Sequence, residues 1–405
     1  GVPDRLNVVD AEKELVFSWR SDAGVVVEKR YRFTSESYLV QLFVDIKNGS
    51  DRPIIDKVVL GIKADTGAEK GGYSFEGPCA LIDGKLEQIK SKKIKDKSNY
   101  PGNIKWLAIV DRYFMKSLIP LDDTKGAMKL SLDGNGILGN RFVGQESAIQ
   151  PGTQKRFAYE IFFGPKSTQV LKDVGHDLGK AIHFGMFDII AKPLLWFMNF
   201  IYGKIPNYGI AIIVLTILTK ILLWPLGSKS YKSMSEMKRL QPLMAEIREK
   251  HKDDKKMMNQ EIMSLYRTYK INPMGGCLPM ILQIPVFFAL YRMLYQAIEL
   301  RHAPFFLWIN DLSAPDRLFH FSFSIPFMQP PYGIPVLTVI MGATMLLQQK
   351  MSPPPGDPTQ AKMMMLMPIV FTVIFINFSS GLVLYWLINN VLSIAQQTYI
   401  QKKYA

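Results

Sequence analysis

Read for the spacing of apolar and polar residues, the chain divides into regions with different periods. In the first, apolar residues alternate with polar ones. Val25, Val27, Tyr31 and Phe33 share one parity, and Tyr38, Val40, Leu42, Val44 and Ile46 repeat it, which predicts half-buried strands. Further short runs at Lys57 to Ile62, Trp106 to Val110 and Phe157 to Phe163 are separated by turn signals at Asp83-Gly84 and Asp133-Gly-Asn-Gly136, the layout of a β-sandwich. From Ser167 the period becomes four. Val170, Val174, Leu178 and Ile182 recur opposite Lys172, Asp173, Asp177 and Lys180, and Trp196, Phe197, Phe200 and Tyr202 follow Pro193. Residues 167–204 are expected to form an amphipathic helix in a membrane interface, with aromatic anchors; the alternative is a helix packed on the sandwich.

Beyond residue 204, five segments are nearly free of charge and approach the roughly 20 residues that cross a bilayer as a helix. They are about 205–226, with Lys220 as its one charge, 277–297, with Arg292, and 333–349, 363–378 and 382–400, with none. Ser379-Ser-Gly381 joins the last two, which are expected to pack side by side. Between the first two, Met237, Leu240, Met244 and Ile247 and then Met258, Ile262, Leu265 and Tyr269 recur at helical spacing around the charged turn His251-Lys-Asp-Asp254. This predicts an antiparallel helical hairpin over 227–276, with Pro242 kinking or restarting its first helix and Asn272-Pro273 ending its second. The expected fold is multi-domain: an all-β sandwich over 1–166, the amphipathic helix over 167–204, and an all-α five-transmembrane-helix core over 205–405.

Charge orients this arrangement. The chain has 405 residues, 48% hydrophobic, and a net charge of +14. The hairpin holds eleven Lys and Arg against six Asp and Glu, whereas 299–332 sums to −1. By the positive-inside rule the hairpin, the loop 350–362 and the tail with Lys402 and Lys403 are cytoplasmic, and the β region lies outside. A signal or anchor segment is then expected ahead of Gly1. The basic arm faces either anionic lipid or a protein or ribosome partner; nothing points to nucleic-acid specificity. Seventeen of the 21 methionines follow residue 225, which suits either an adaptable apolar surface or ordinary helix packing.

Lys220 carries the most chemical information. It lies about 9 Å inside the cytoplasmic end of its segment, where it either snorkels to the headgroups or faces a wet cavity. Thr216 sits one turn away on the same face, and Gln283, Asn389, Asn390 and Ser393 fall at similar depth in other segments, which favours a cavity open to the cytoplasm. Other chemistries find no support. There is no P-loop, no H-E-x-x-H and no acidic residue inside the five segments, which leaves no nucleotide motor, zinc protease or aspartyl protease. Cys79 and Cys277 are far apart, so no disulfide framework or cysteine metal site is expected. All five histidines follow the β region. No metal, cofactor or enzymatic reaction is expected. A Ser–Lys dyad would have only Ser393 to use and no oxyanion-hole loop. A small-solute transporter or channel is the alternative reading, although five unequal segments show no inverted repeat.

Several motifs then agree in order and spacing: Asn272-Pro-Met-Gly-Gly-Cys-Leu-Pro279 leading to Gln283-Ile-Pro285, Ala303-Pro-Phe-Phe-Leu-Trp-Ile-Asn-Asp-Leu312, Gln349-Lys-Met-Ser352, Met367-Pro368 and Gly381-Leu-Val-Leu-Tyr-Trp386. Over about Phe163 to Tyr404 the chain resembles the YidC membrane protein insertase family of bacterial inner membranes, and the β region resembles that family's periplasmic sandwich more weakly. The resemblance implies an insertase and chaperone, independent of ATP, with a hydrophilic groove closed toward the outside and open to the cytoplasm and lipid. It implies nascent membrane proteins, the ribosome and the Sec translocon as partners. It assigns Lys220 as the groove charge, where relatives usually have Arg, with Thr216 and Gln283 as polar groove positions. Phe287, Met341, Phe375, Tyr385 and Trp386 match the region that contacts the client's apolar segment. Ser379 stands where relatives commonly have Pro, which implies a looser hairpin turn.

Overall fold

The computed structural model describes residues 7–9, 12–65, 74–122, 124–252, 254–269, 278–351 and 358–404. The chain forms two compact units, Gly1–His183 and Phe184–Ala405.

The first unit is an antiparallel β structure. Its strands are β1 (Lys13–Arg20), β2 (Val25–Phe33), β3 (Leu39–Asn48), β4 (Ile54–Asp65), β5 (Gly77–Ile82), β6 (Lys85–Gln88), β7 (Asn99–Val110), β8 (Phe114–Pro120), β9 (Lys125–Leu132), β10 (Ile137–Ile149) and β11 (Gln154–Pro165). They follow the order β1-β2-β3-β11-β8-β7-β9-β10-β4, with the β5–β6 hairpin added beside β7. β7 belongs to both layers, because Asn99–Asn103 pairs with β9 while Leu107–Val110 pairs with β8. The layers close on a dry core in which Leu42, Leu107, Met128, Leu138, Phe142 and Tyr159 are buried. Phe142 of β10 meets Tyr159 of β11 edge to face, with centroids 6.3 Å apart, a geometry favoured by the ring quadrupoles. The Asp83-Gly84 turn has both residues at positive φ, 49° and 77°, as a two-residue hairpin requires. Asp133 Oδ1 accepts from the backbone of Asn135 and Ile137 and so shapes the β9–β10 turn.

The segment 167–204 departs from the single amphipathic helix expected of it. Helix α1 (Thr168–Val174) ends at Gly175, and Gly175, His176 and Asp177 all have positive φ, a conformation that stops an α-helix. A 3-10 turn over Leu178–Ala181 follows. Leu171, Leu178 and Ala181 are buried against Trp106, Met115 and Phe162 on the second face of the sheet. The four-residue period thus reports one apolar face applied to the sheet in two pieces, the alternative reading of this stretch, and the first unit extends past residue 166 to His183. Only the remainder, α2 (Asp188–Tyr202), is a longer helix, and it belongs to the second unit.

The second unit continues with α3 (Tyr208–Leu222), α4 (Trp224–Arg239), α5 (Gln241–Lys250), α6 (Lys255–Thr268), α7 (Leu278–Gln296), α8 (Val336–Met351), α9 (Pro358–Phe375) and α10 (Ser380–Tyr404), plus a small hairpin of β12 (Leu318–Phe321) and β13 (Tyr332–Ile334). The Asn207 side chain caps α3 by accepting from Ile210 N. The apolar run expected to continue to 226 breaks at Leu223, and α4 leaves at 65° with Pro225 in its first turn, the position a helix start tolerates. Among the described residues no single helix is both long and apolar enough to cross a membrane; α3 and α4 together meet that measure, but bent. Pro242 lies in the first turn of α5. Helices α5 and α6 run antiparallel, with Tyr266 on Met244 and Lys250 on Glu261. Helix α6 ends at Thr268 with Tyr269 as its C-cap; the expected stop at Asn272-Pro273 and the rest of the motif to Cys277 lie outside the described residues.

Helix α10 is the hub of this unit and packs on α8, α3, α4 and α7. The expected side-by-side pairing of the last two segments is only partial: α9 packs mainly on α8 and reaches α10 through Phe371 and Phe375 against Trp386. The hairpin turn between them is held firmly rather than loosely. Ser380 N donates to Ala314 O and Gly381 N to Leu312 O, so a neighbouring loop supplies the rigidity that a proline would.

Candidate functional site

One face of α3 carries Ala211, Ile212, Leu215, Thr216, Thr219 and Lys220, all buried. The last of these is a cation 7% exposed in a unit dominated by apolar side chains. Its Nζ donates to Ser393 Oγ of α10 at 2.7 Å, and that hydroxyl donates to Asn389 O at 2.7 Å. Tyr231 of α4 also hydrogen-bonds Ser393, and reaches Gln348 of α8. No carboxylate lies within ion-pair range of Lys220 among the described residues. Removing an ammonium from water costs several kcal/mol when no counter-ion compensates it; among the described residues the ammonium of Lys220 is met by the Ser393 hydroxyl.

The other expected polar positions distribute around this pair. Thr216 is buried one turn before Lys220, with its hydroxyl donating to Ile212 O at 2.6 Å. Asn390 is buried and donates to Thr344 Oγ1 of α8 at 3.2 Å. Asn389 joins through its backbone carbonyl. Gln283 is half-buried on α7 and is not joined to the Lys220–Ser393 pair. Two further residues extend the set: Gln396 Nε2 donates to Trp224 O and Ser228 Oγ, and Gln397 Nε2 to Met351 O. Asn389, Asn390, Ser393, Gln396 and Gln397 follow the helical spacing i, i+1, i+4, i+7, i+8, so this polar stripe along α10 was open to a sequence reading that stopped at Ser393.

Four of the five expected apolar contact residues meet. The Phe287 ring lies 4.8 Å from Trp386 and 6.5 Å from Tyr385, and Phe375 lies 4.8 Å from Trp386. Phe371 and Tyr291 extend the cluster, which therefore joins α7, α9 and α10. Met341 is buried on α8, and none of these ring contacts involves it.

The pair's chemistry is electrostatic rather than nucleophilic. Ser393 accepts from the ammonium and gives its own proton to a helix carbonyl, whereas a nucleophile needs a base to accept that proton. No group of three potential metal-binding side chains occurs among the described residues.

Comparison with known proteins agrees with this architecture. A family model described as YidC periplasmic domain matches residues 3–197, and one described as 60Kd inner membrane protein matches 200–405. The membrane protein insertase YidC of Syntrophus aciditrophicus is 45% identical over 401 residues, covering 98% of this chain and 71% of the relative. That of Geotalea uraniireducens is 47% identical over 394 residues, covering 96% and 71%. A crystal structure described as an active YidC insertase with its first transmembrane domain resolved is similar over 94% of this chain and 78% of that one, at 21% identity and a TM-score of 0.44. Each of the two units thus finds its own match, and the chain belongs to the YidC family of membrane protein insertases.

Proposed function

We infer that the protein inserts nascent proteins into the bacterial inner membrane and helps them fold, with its β unit in the periplasm and its helical core in the bilayer. The observation that carries this reading is the buried Lys220 beside a polar stripe on α10 that runs along one face of that helix, about two turns from Trp386 in the aromatic cluster of α7, α9 and α10. In this reading the five apolar segments span the membrane, α5 and α6 form a cytoplasmic arm, and α2 lies in the interface. The exposed apolar residues of α2, Met186 just before it and then Ile189, Trp196 and Phe200, support that placement. Thr216, Gln283, Asn389, Asn390 and Ser393 line a hydrophilic groove around Lys220. A client's polar end enters this groove from the cytoplasm, while its apolar segment leaves past Phe287, Met341, Phe375, Tyr385 and Trp386 into lipid.

The arrangement calls for no nucleotide. Partition of the apolar segment drives the transfer, and the groove lowers the cost of carrying the polar end. The basic arm provides a surface for the ribosome and anionic lipid, and the Sec translocon is the natural source of further clients. Photo-crosslinking of a stalled ribosome–nascent chain with one apolar segment, to probes at Lys220, Gln283 and Trp386, tests the path. Contact at all three, lost when the segment is made polar, is expected. Contact only at lipid-facing positions would mean that Lys220 snorkels and that clients slide along the outer surface.

A further inference from the structure

Strand β1 ends its sheet: it pairs with β2 on one side and, among the described residues, with no strand on the other. Its outer edge therefore presents backbone N–H and C=O groups that no neighbouring strand takes up, the feature that most sheets blunt or cover. Alternation divides the side chains between two faces. Leu15, Phe17 and Trp19 share one face, opposite Tyr31, Lys29 and Val27 of β2. Further into the sheet this is the core face, since Val27, Tyr31 and Ile46 pack on the buried cluster that includes Leu42 and Val44. At β1 the cover runs out, and Phe17 is 44% and Trp19 61% exposed. A groove of about 520 Å³ opens there, lined by Leu15, Phe17, Lys29, Tyr31 and Phe33. The Phe17 and Tyr31 rings meet in it edge to face, with centroids 5.9 Å apart.

Charge narrows the choice of occupant. Two ammonium groups stand on this face, Lys13 opposite Phe33 and Lys29 opposite Phe17. The carboxylates of β1 and β2, Glu14 and Glu28, fall on the other face, where Arg32 holds Glu14 at 2.9 Å. On the apolar face β3 adds only Val40, Leu42, Val44 and Ile46 beside Phe33, Tyr31, Lys29 and Val27. Neither lysine has an ion pair among the described residues. We propose that the edge of β1 is a binding site for an extended polypeptide segment that presents both aromatic and acidic side chains on one face. The segment adds a strand about 4.8 Å beyond β1; its backbone pairs the free edge while its side chains supply the selectivity. Its aromatic rings extend the row of Phe17 and Trp19, and its carboxylates complement Lys13 and, across Phe17, Lys29. A lipid headgroup would match the lysines but leave the strand edge unpaired, and a second copy of β1 and β2 would bring two more lysines and no carboxylate to the same face. The site lies in the β unit and goes beyond the insertion reading; only its use by a translocated client tail rests on that reading.

The test uses the full chain in phosphatidylcholine nanodiscs and the fluorescence anisotropy of a labelled peptide with Thr at odd positions and Glu and Phe in turn at even ones. It is expected to bind at least about tenfold more tightly than the same peptide with Lys for Glu, the equivalent of one charge-assisted contact. A version N-methylated at alternate backbone nitrogens, which cannot pair as a strand, is expected to lose as much. Lys13→Glu and Lys29→Glu should each erase the preference for Glu over Lys, and Trp19→Ser should weaken the Glu peptide about tenfold; the lysine variants serve where the last fails to accumulate. Equal binding of the three peptides, or binding indifferent to all three substitutions, would overturn the site. Capture of anionic vesicles with no binding of the peptide would overturn it in favour of a lipid surface, and self-association abolished by Trp19→Ser in favour of a second copy. Client insertion is scored separately: a wild-type chain that inserts no client counts against the insertion reading and leaves the peptide result standing.

Discussion

A buried charge is a cost unless something uses it, and the two units treat their buried lysines differently. Lys166 follows β11, with its backbone N–H on Tyr113 O, and its ammonium is pulled down to about 8 by burial, against the opposing effect of Asp111 and Glu76. Cys79, also buried, is pushed up to about 12 by desolvation and stays a thiol in this range. The folded-state value of Lys166 lies below that of the unfolded chain, so between about pH 8 and pH 10.5 the unfolded chain binds more protons and stability rises with pH; below about 8 the full penalty applies. Lys166→Met should therefore stabilise the protein near neutral pH by on the order of 2 kcal/mol, an advantage that shrinks as pH approaches about 10. Urea midpoints of wild type and variant at the two pH values measure this. A constant difference between them would mean that the ammonium is hydrated in the native state.

At the scale of elements, close approach of helices decides what can change. A Cβ on Gly342 of α8 would lie 2.2 Å from Thr372 Oγ1 and 3.1 Å from its Cγ2, the tight small-residue contact typical of membrane helices. Gly342→Ala should cost about 1 to 3 kcal/mol through overpacking, and Thr372→Ala in the same chain should restore most of the loss, since both clashing atoms go. Thermal unfolding of the two single variants and the double variant in detergent provides the cycle; purely additive losses would show that the helices part without strain. The same scale explains what was legible in the sequence. The strands from Val25 and Leu39, the Asp83-Gly84 turn and the apolar helices follow from local period and turn chemistry. The break at Gly175 to Asp177 escaped because Val170, Leu178 and Ile182 keep their spacing across it, each facing the same sheet. The break at Leu223 was hidden inside a continuous apolar run. Lys220 was legible as a lone charge in such a run, whereas its partner at Ser393 depended on how two distant helices meet. The burial of two charges, Asp316 and Arg317, was opaque because their partners are mostly backbone atoms from remote turns, which carry no side-chain signature.

For the molecule as a whole, the proposed transfer, driven without nucleotide, has to balance. About 20 residues of Leu, Ile, Phe or Val at roughly −0.3 to −0.6 kcal/mol each supply about 6 to 12 kcal/mol, enough to offset a few polar groups but not a long charged tail. The proposed groove matters for clients near that limit. Among the described residues Lys220 has no carboxylate partner, so in the proposed groove an acidic client tail would be the counter-ion of the buried ammonium, and binding it would relieve two desolvation costs at once. Lys220→Glu should then slow insertion of a short acidic-tailed client by about tenfold or more, the equivalent of a single lost charge-assisted contact. Lys220→Ala should slow it less, and a strongly apolar client with an uncharged tail should insert at the wild-type rate in all three proteins. Insertion into vesicles without nucleotide, scored by protease protection of the translocated tail, separates these cases. Equal rates for every client would remove charge attraction from the mechanism and leave apolar sliding past Phe287 and Trp386 as the whole of it, because the partition term is the one contribution that does not depend on residue 220.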